Sequence, residues 1–213
     1  MSPQAKKATR SVYGVHPSVA KVQIWIAELQ QETGRSLYEW IAIVNREGPK
    51  TERERREWLK GKHKLATNSA IWIAERAESQ GGDLDSPEKY LSITATYVEE
   101  QYSGKKESLR PIYEQLLQVA AELGAEVKAC PCKTIVPLYR NHVFAQIKAT
   151  TNTRVDLGLA LTHYKGKLPK RIVDTGGLAK KDRITHRIEL QSTAQIDWEV
   201  VKWLETAYEL DGK

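Results

Sequence analysis

At Gly124 the spacing of apolar residues changes, and this limits the folds open to the chain more than any other feature of it. Upstream, apolar side chains recur every three or four positions, as on one face of a helix. Downstream they alternate, as on a strand whose side chains point to opposite faces in turn. Val22, Trp25, Ile26 and Leu29 make the first helical stripe, whereas Val143, Ala145 and Ile147, then Val155, Leu157, Leu159 and Leu161, make the alternating one. The pattern excludes a purely helical bundle and a pure β-sandwich. It predicts an α+β chain: an N-terminal helical bundle, then a two-layer domain of about five antiparallel strands with two helices on one face.

Turn and cap residues divide the chain into four parts. Residues 1–16 read as a flexible basic arm carrying Lys6, Lys7 and Arg10. Residues 17–80 read as a four-helix module. Ser36 with Glu39, and Thr51 with Glu54, have the spacing of capping boxes, and Gly48 and Pro49 stop the helix between them. Trp25, Trp40, Trp58 and Trp72 are its core candidates. Residues 81–104 form a linker and a connecting helix that starts at Pro87, after "GGDLDS".

Residues 105–213 make the sheet module. "KKESLRPIYEQLLQVAAELG" is an amphipathic helix with Pro111 in its first turn. "EVKAC", "KTIVPLYR", "HVFAQIK", "RVDLGLAL" and "ITHRIEL" read as strands, and the Gly- and Lys-rich "HYKGKLPKRIVDTGGLAKKD" reads as a long surface loop. A final helix follows, with Ser192 or Thr193 as its cap and Ile196, Val200, Trp203, Leu204 and Ala207 inward.

Alternation assigns Phe144, Gln146, Lys148, Arg154, Asp156 and Gly158 to the sheet face away from the helices. On the last strand Thr185, Arg187 and Glu189 join that face, and Ile184, His186, Ile188 and Leu190 the covered one. The open face therefore presents Lys148, Arg154 and Arg187 beside Asp156 and Glu189, with Phe144 among them and Gly158 leaving room. A ring stacked on Phe144, with guanidinium groups on phosphates, suits a nucleotide or single-stranded nucleic acid. The same four charged residues, Arg154, Asp156, Arg187 and Glu189, are also placed to pair across strands as a solvated ladder.

Charge points the same way. Residues 133–187 hold twelve Lys/Arg against three Asp and no Glu, a local net charge of +9, and clustered positive charge attracts polyanions. Lys165, Lys167, Lys170 and Arg171 of the long loop, with Lys6, Lys7 and Arg10 of the arm, would add non-specific attraction. Cys130 and Cys132 read as small buried residues in a reducing compartment. A zinc site on them would need His142, His163 or His186, and the paired spacing of a zinc ribbon is absent, so neither metal nor cofactor is expected. No apolar run reaches the roughly 20 residues of a membrane span, and "MSPQAKKATR" lacks the apolar core of a secretory signal; a cytoplasmic protein without membrane contact is expected. Oligomeric state is not legible in the sequence.

Long strings resemble two bacterial families, the domains of unknown function 4287 and 5655. "GRSLYEWIAIVNREGPKTERERREWLKGKHKLATNSAIWIA" carries the first resemblance. "YSGKKESLRPIYEQLL", "KTIVPLYRNHVFAQIKATTNTRVDLGLAL" and "THRIELQSTAQIDWEVVKWLETAY" carry the second. Neither family implies an activity. Relatives of the second module look like tail pieces of restriction-like or DNA-modifying bacterial proteins, which implies a nucleic-acid context by analogy. Its helix–strands–helix order is similar to frataxin-like sandwiches, but the acidic first helix that serves iron binding there is missing here.

These readings favour a non-catalytic binding protein for nucleic acid or a nucleotide-like anion on the open sheet face. Two alternatives stand beside it: a protein-interaction scaffold using the Trp-rich module or a sheet edge, and a small-molecule enzyme with a site around Asp156 and His186. No nucleophile elbow, phosphate loop or paired-histidine helix supports the enzyme.

Overall fold

The structure is a computed structural model that describes residues 12–79 and 82–212. Lys6, Lys7 and Arg10 of the expected arm lie outside the described residues. The chain forms two compact units: His16–Ser92, and Ile93–Lys213 together with the residues up to Val15.

The first unit contains α1 (Ser18–Thr33), α2 (Leu37–Glu47), α3 (Glu52–His63) and α4 (Thr67–Ser79). Local chemistry sets their ends. Gly34 takes φ 73°, a left-handed conformation that suits a residue without Cβ, and closes α1. The Ser36 and Thr51 hydroxyls each accept the N–H of the glutamate three residues on, at 3.3 Å, and each glutamate accepts the cap residue's N–H in return. Val22, Leu29, Trp40, Val44, Leu59 and Ile73 fill the core. The Trp25 indole N–H donates to Ser69 Oγ at 2.9 Å and the Trp40 indole to Thr33 Oγ1 at 2.8 Å, so both rings are buried with their polar edge satisfied. Trp58 and Trp72 are only partly buried against this core.

Helix α5 (Pro87–Gln101) belongs to the first unit through Ser92 and to the second from Ile93. A 3-10 turn, Gly104–Leu109, leads into α6 (Arg110–Glu122). The strands are β1 (Lys128–Ala129), β2 (Val136–Tyr139), β3 (Val143–Ala149), β4 (Val155–Leu159), β5 (Val173–Asp174) and β6 (His186–Leu190), and α7 (Trp198–Asp211) follows. They form one antiparallel sheet in the order β1-β2-β3-β4-β6-β5. The α+β class expected from the sequence is the observed one. Leu116 and Ala120 of α6, and Val200, Leu204 and Ala207 of α7, share one core with Val136, Leu138, Ile147, Leu157 and Ile188 of the sheet.

Three segments differ from expectation. The long loop contains β5, which pairs with Arg187 and His186. The end of the expected arm is ordered: Tyr13 bridges Ala129 in parallel, with bonds from Gly14 N–H to Ala129 O (3.0 Å) and from Ala129 N–H to Val12 O (2.9 Å). Edge strands carry unpaired backbone groups, and these residues satisfy one. The final helix starts later than its expected cap. Ser192 opens only a 3-10 turn, Thr193–Gln195, and Asp197 caps α7 by accepting the N–H groups of Glu199 and Val200, both at 3.1 Å.

At the other end of α7 the Asp211 carboxylate, with its side chain only 1% exposed, accepts the backbone N–H groups of Asn141 (2.9 Å) and His142 (2.8 Å) and pairs with Arg183. Burial works against its charge, but these donors prevail and hold the carboxyl below the usual range.

Candidate nucleic-acid interface

Pairing on the open sheet face follows the predicted alternation: Lys148 faces Asp156, Gln146 faces Gly158, and on β6 Glu189 faces Asp156 and Arg187 faces Gly158. Arg154, Asp156, Arg187 and Glu189 therefore meet, and they neutralise one another. Arg154 Nη1 lies 3.0 Å from Glu189 Oε2, Arg154 Nε 2.9 Å from Asp156 Oδ1, and Arg187 Nη2 2.8 Å from Glu189 Oε1. Thr150 Oγ1 donates to Asp156 at 2.8 Å. The Arg187 hydrogen bond holds the Glu189 carboxyl below its usual range. Two cations and two anions make a ladder whose phosphate-binding groups are already occupied. Lys148, exposed and without an ion pair among the described residues, is the one cation of this face left over.

Phe144 is not on this face. The register shifts between Leu138 and Tyr139, whose partners are Ala145 and Val143, so Phe144 is the extra residue of a bulge and its side chain leaves the alternation. It is 0% exposed, and its ring stands edge-on to Tyr208 of α7 at 5.6 Å. The expected stacking platform is a core residue. The space at Gly158 is also taken: a Cβ there would lie 2.7 Å from Ile184 Cγ2 and 2.8 Å from Gln146 Cγ. Ile184 thus covers the open face instead of the core, while Thr185 is 1% exposed and its Oγ1 accepts Leu161 N–H at 3.3 Å. Regular pairing begins only at His186, so alternation cannot be carried back to 184 and 185. His186 faces Leu159, on the opposite side of the sheet from Asp156, and its Nδ1 is 2.9 Å from Thr185 Oγ1. The structure does not bring Asp156 and His186 together.

The exposed aromatic is Trp198, 74% accessible at the first turn of α7. It borders a groove of about 330 Å³ between α7 and the loop of residues 164–169, with Tyr164, Lys167, Trp203 and Lys202 among its walls. Tyr164 stands edge-on to Trp203 at 5.1 Å, and Lys202 Nζ lies 5.9 Å from the Trp198 ring. Arg171 positions the loop: its guanidinium donates to Asp197 (2.6 Å), Glu199 (3.2 Å) and the Gln195 carbonyl (2.5 Å). The same contact holds the Asp197 carboxyl below its usual range. Arg171 is therefore a strut, whereas Lys165, Lys167, Lys170 and Lys202 are exposed and have no ion pair among the described residues.

Sequence reading missed Trp198, although a signal was present. At about 100° per residue it falls on the opposite side of α7 from Val200 and Ala207, off the apolar stripe that takes Trp203 inward. A tryptophan outside its helix's stripe has no place in that core.

Both cysteines are free, and burial pushes the Cys130 thiol up to about 12, which suits an inert core residue. Among the described residues no three His, Cys, Asp or Glu side chains converge so as to hold a metal ion, and no helix is long and apolar enough to cross a membrane.

Comparison with known proteins follows the division into units. No curated protein and no solved structure matches the chain. A family model described as Domain of unknown function (DUF4287) matches residues 22–78, within the helical unit. A second, described as Domain of unknown function (DUF5655), matches residues 98–211, more than half of the chain, and to that family the chain belongs.

Proposed function

We propose that the C-terminal unit binds single-stranded nucleic acid without catalysing a reaction, by stacking a base on Trp198 and meeting the backbone with the lysines around it. The observation that carries this reading is an exposed tryptophan that shares its groove with Lys167 and Lys202, exposed cations that pair with no carboxylate among the described residues, as Lys165 and Lys170 of the same loop also do not. Stacking on an aromatic ring contributes about 1–3 kcal/mol per base and tolerates any base, while free lysines release counterions when they meet phosphate. Lys148 on the sheet face adds charge. Arg154 and Arg187 are spent on Asp156 and Glu189 and contribute little.

Fluorescence-anisotropy titration with labelled single-stranded and duplex DNA and RNA, at two salt concentrations, tests the reading. Single strands bind more tightly than duplexes, and affinity falls with salt. Trp198→Ala weakens binding roughly tenfold, as loss of one stacked base implies. Replacing Lys167 and Lys202 by glutamine flattens the salt slope, whereas Arg154→Ala leaves it nearly unchanged. Absence of binding at low salt sinks the proposal and turns attention to a protein partner, for which Tyr38 (82% exposed) and Ile24 (57%) on the helical unit are the first contacts to vary.

A further inference from the structure

The Trp198 groove also has an acidic wall. Glu199 of α7 lines it together with Tyr164, Lys167 and Lys202. Asp197 and Glu199 share the Arg171 strut, yet they are used differently. Asp197 is fully engaged: its Oδ1 accepts the Glu199 and Val200 N–H groups, and its Oδ2 accepts the guanidinium. Glu199 gives Arg171 only Oε2, at 3.2 Å. Its Oε1 accepts no hydrogen bond among the described residues and is open to solvent, on a side chain 26% exposed. The strut therefore fixes a carboxylate at the groove wall with one acceptor free. Toward phosphate that carboxylate is repulsive, so it works against the lysines beside it. What it attracts is a ligand group that donates hydrogen bonds.

Stacking does not choose among bases, but the edge of a stacked base can be read by hydrogen bonds. A groove of about 330 Å³ is near the lower end of small-ligand sites and takes one base rather than a run of them. Among the common bases only guanine carries two neighbouring donors on its Watson–Crick edge, N1–H and the N2 amino group. Adenine and cytosine set an amino group beside a bare ring nitrogen, and thymine and uracil set N3–H between two carbonyls, so each would turn an acceptor toward the carboxylate. We propose that the groove selects guanine. Its ring lies on Trp198, its N1–H and N2 amino group donate to Glu199, and Lys167 and Lys202 meet the flanking phosphates. A carboxylate oxygen has more than one lone pair, so Oε2 can accept from guanine while it holds Arg171. This inference rests on the single-strand reading above and adds the identity of the base to it.

The test is fluorescence-anisotropy titration of the full-length protein, at low salt, with a labelled oligothymidylate whose central base is guanine, hypoxanthine or adenine. The guanine strand binds about tenfold tighter than the adenine strand, the scale of a hydrogen bond to a charged acceptor, although both purines stack alike. Hypoxanthine keeps N1–H but lacks the amino group, and its strand falls between them. Glu199→Gln abolishes the difference: it weakens the guanine strand and tightens the adenine strand about twofold as a negative charge leaves the groove, a gain that a misfolded variant cannot produce. Suppose the adenine strand binds, Trp198→Ala weakens it, and guanine adds less than about twofold. The guanine inference then falls while the single-strand reading stands. It falls equally if the advantage of guanine survives Glu199→Gln. If none of the strands binds, both fall together.

Discussion

In the helical unit both kinds of cation enter ion pairs, several of them between residues a turn apart on one helix: Arg56 with Glu52, Lys60 with Glu57, Lys89 with Asp85. In the C-terminal unit all six described arginines, at 110, 140, 154, 171, 183 and 187, hold a carboxylate, and no described lysine does. Most of these pairs join distant stretches of chain, as Arg140 with Glu126, Arg171 with Asp197 and Arg183 with Asp211. A guanidinium presents several donors in one rigid plane and can tie two elements together, whereas a lysine is a strongly hydrated point charge. The surplus of +9 over residues 133–187 is thus not spread evenly in space. Arginines are consumed as cross-braces, and the charge available to a ligand is lysine charge.

If the C-terminal unit is braced over long range and the helical unit locally, substitutions should separate the two. The largest effect is expected for Phe144→Ala, packed edge-on with Tyr208, whose ring also meets the Arg140 guanidinium at 4.2 Å. Removing such a buried ring costs about 3–5 kcal/mol. In urea, hydrogen exchange should show the sheet unit opening earlier while α1–α4 keep their protection. Loss of nucleic-acid binding at unchanged stability would instead return Phe144 to a ligand surface.

Asp211→Asn comes next, at about 1–3 kcal/mol, because Asn141, His142 and Arg183 lose a charged acceptor. The sign of its pH dependence is determined. Asp211 titrates below its ordinary value when folded, so its contribution is complete above the ordinary carboxylate range and disappears as pH falls through the folded value. Acidification below about pH 4 should weaken the wild-type sheet unit more than the asparagine variant, as thermal melts across pH would read. The smallest effect is expected at the ladder: Arg187→Ala should cost no more than about 1 kcal/mol, since its pairs are partly solvated. A larger loss on denaturant titration would mean that this surface braces the fold as Asp211 does.

What was legible in the sequence was what short-range chemistry decides. The Ser36–Glu39 and Thr51–Glu54 boxes need only residues three apart, and both are present. The placing of Asp156 and Glu189 on one face of the sheet needs only a period of two, and the pairing of β4 with β6 agrees with it. Phe144 escaped because a bulge on β3 depends on how β2 pairs with it, which no local pattern encodes. Ile184 and Thr185 escaped because they precede the first regular pair of β6. The occupied state of Arg171 and Arg183 was likewise hidden, since their partners, the cap and the last residue of α7, are 26 and 28 residues away in the chain.

The Tyr13–Ala129 bridge also decides how the chain carries mechanical load. Because residues 12–14 are hydrogen-bonded to β1, the helical unit is an excursion of the chain that leaves the C-terminal unit and returns to it. Tension applied to the two ends of the protein would run from Gly14 through Ala129 into the sheet and bypass α1–α4. Only after that short parallel bridge sheared would force reach His16, so the unit held by local caps is shielded by the unit braced over distance.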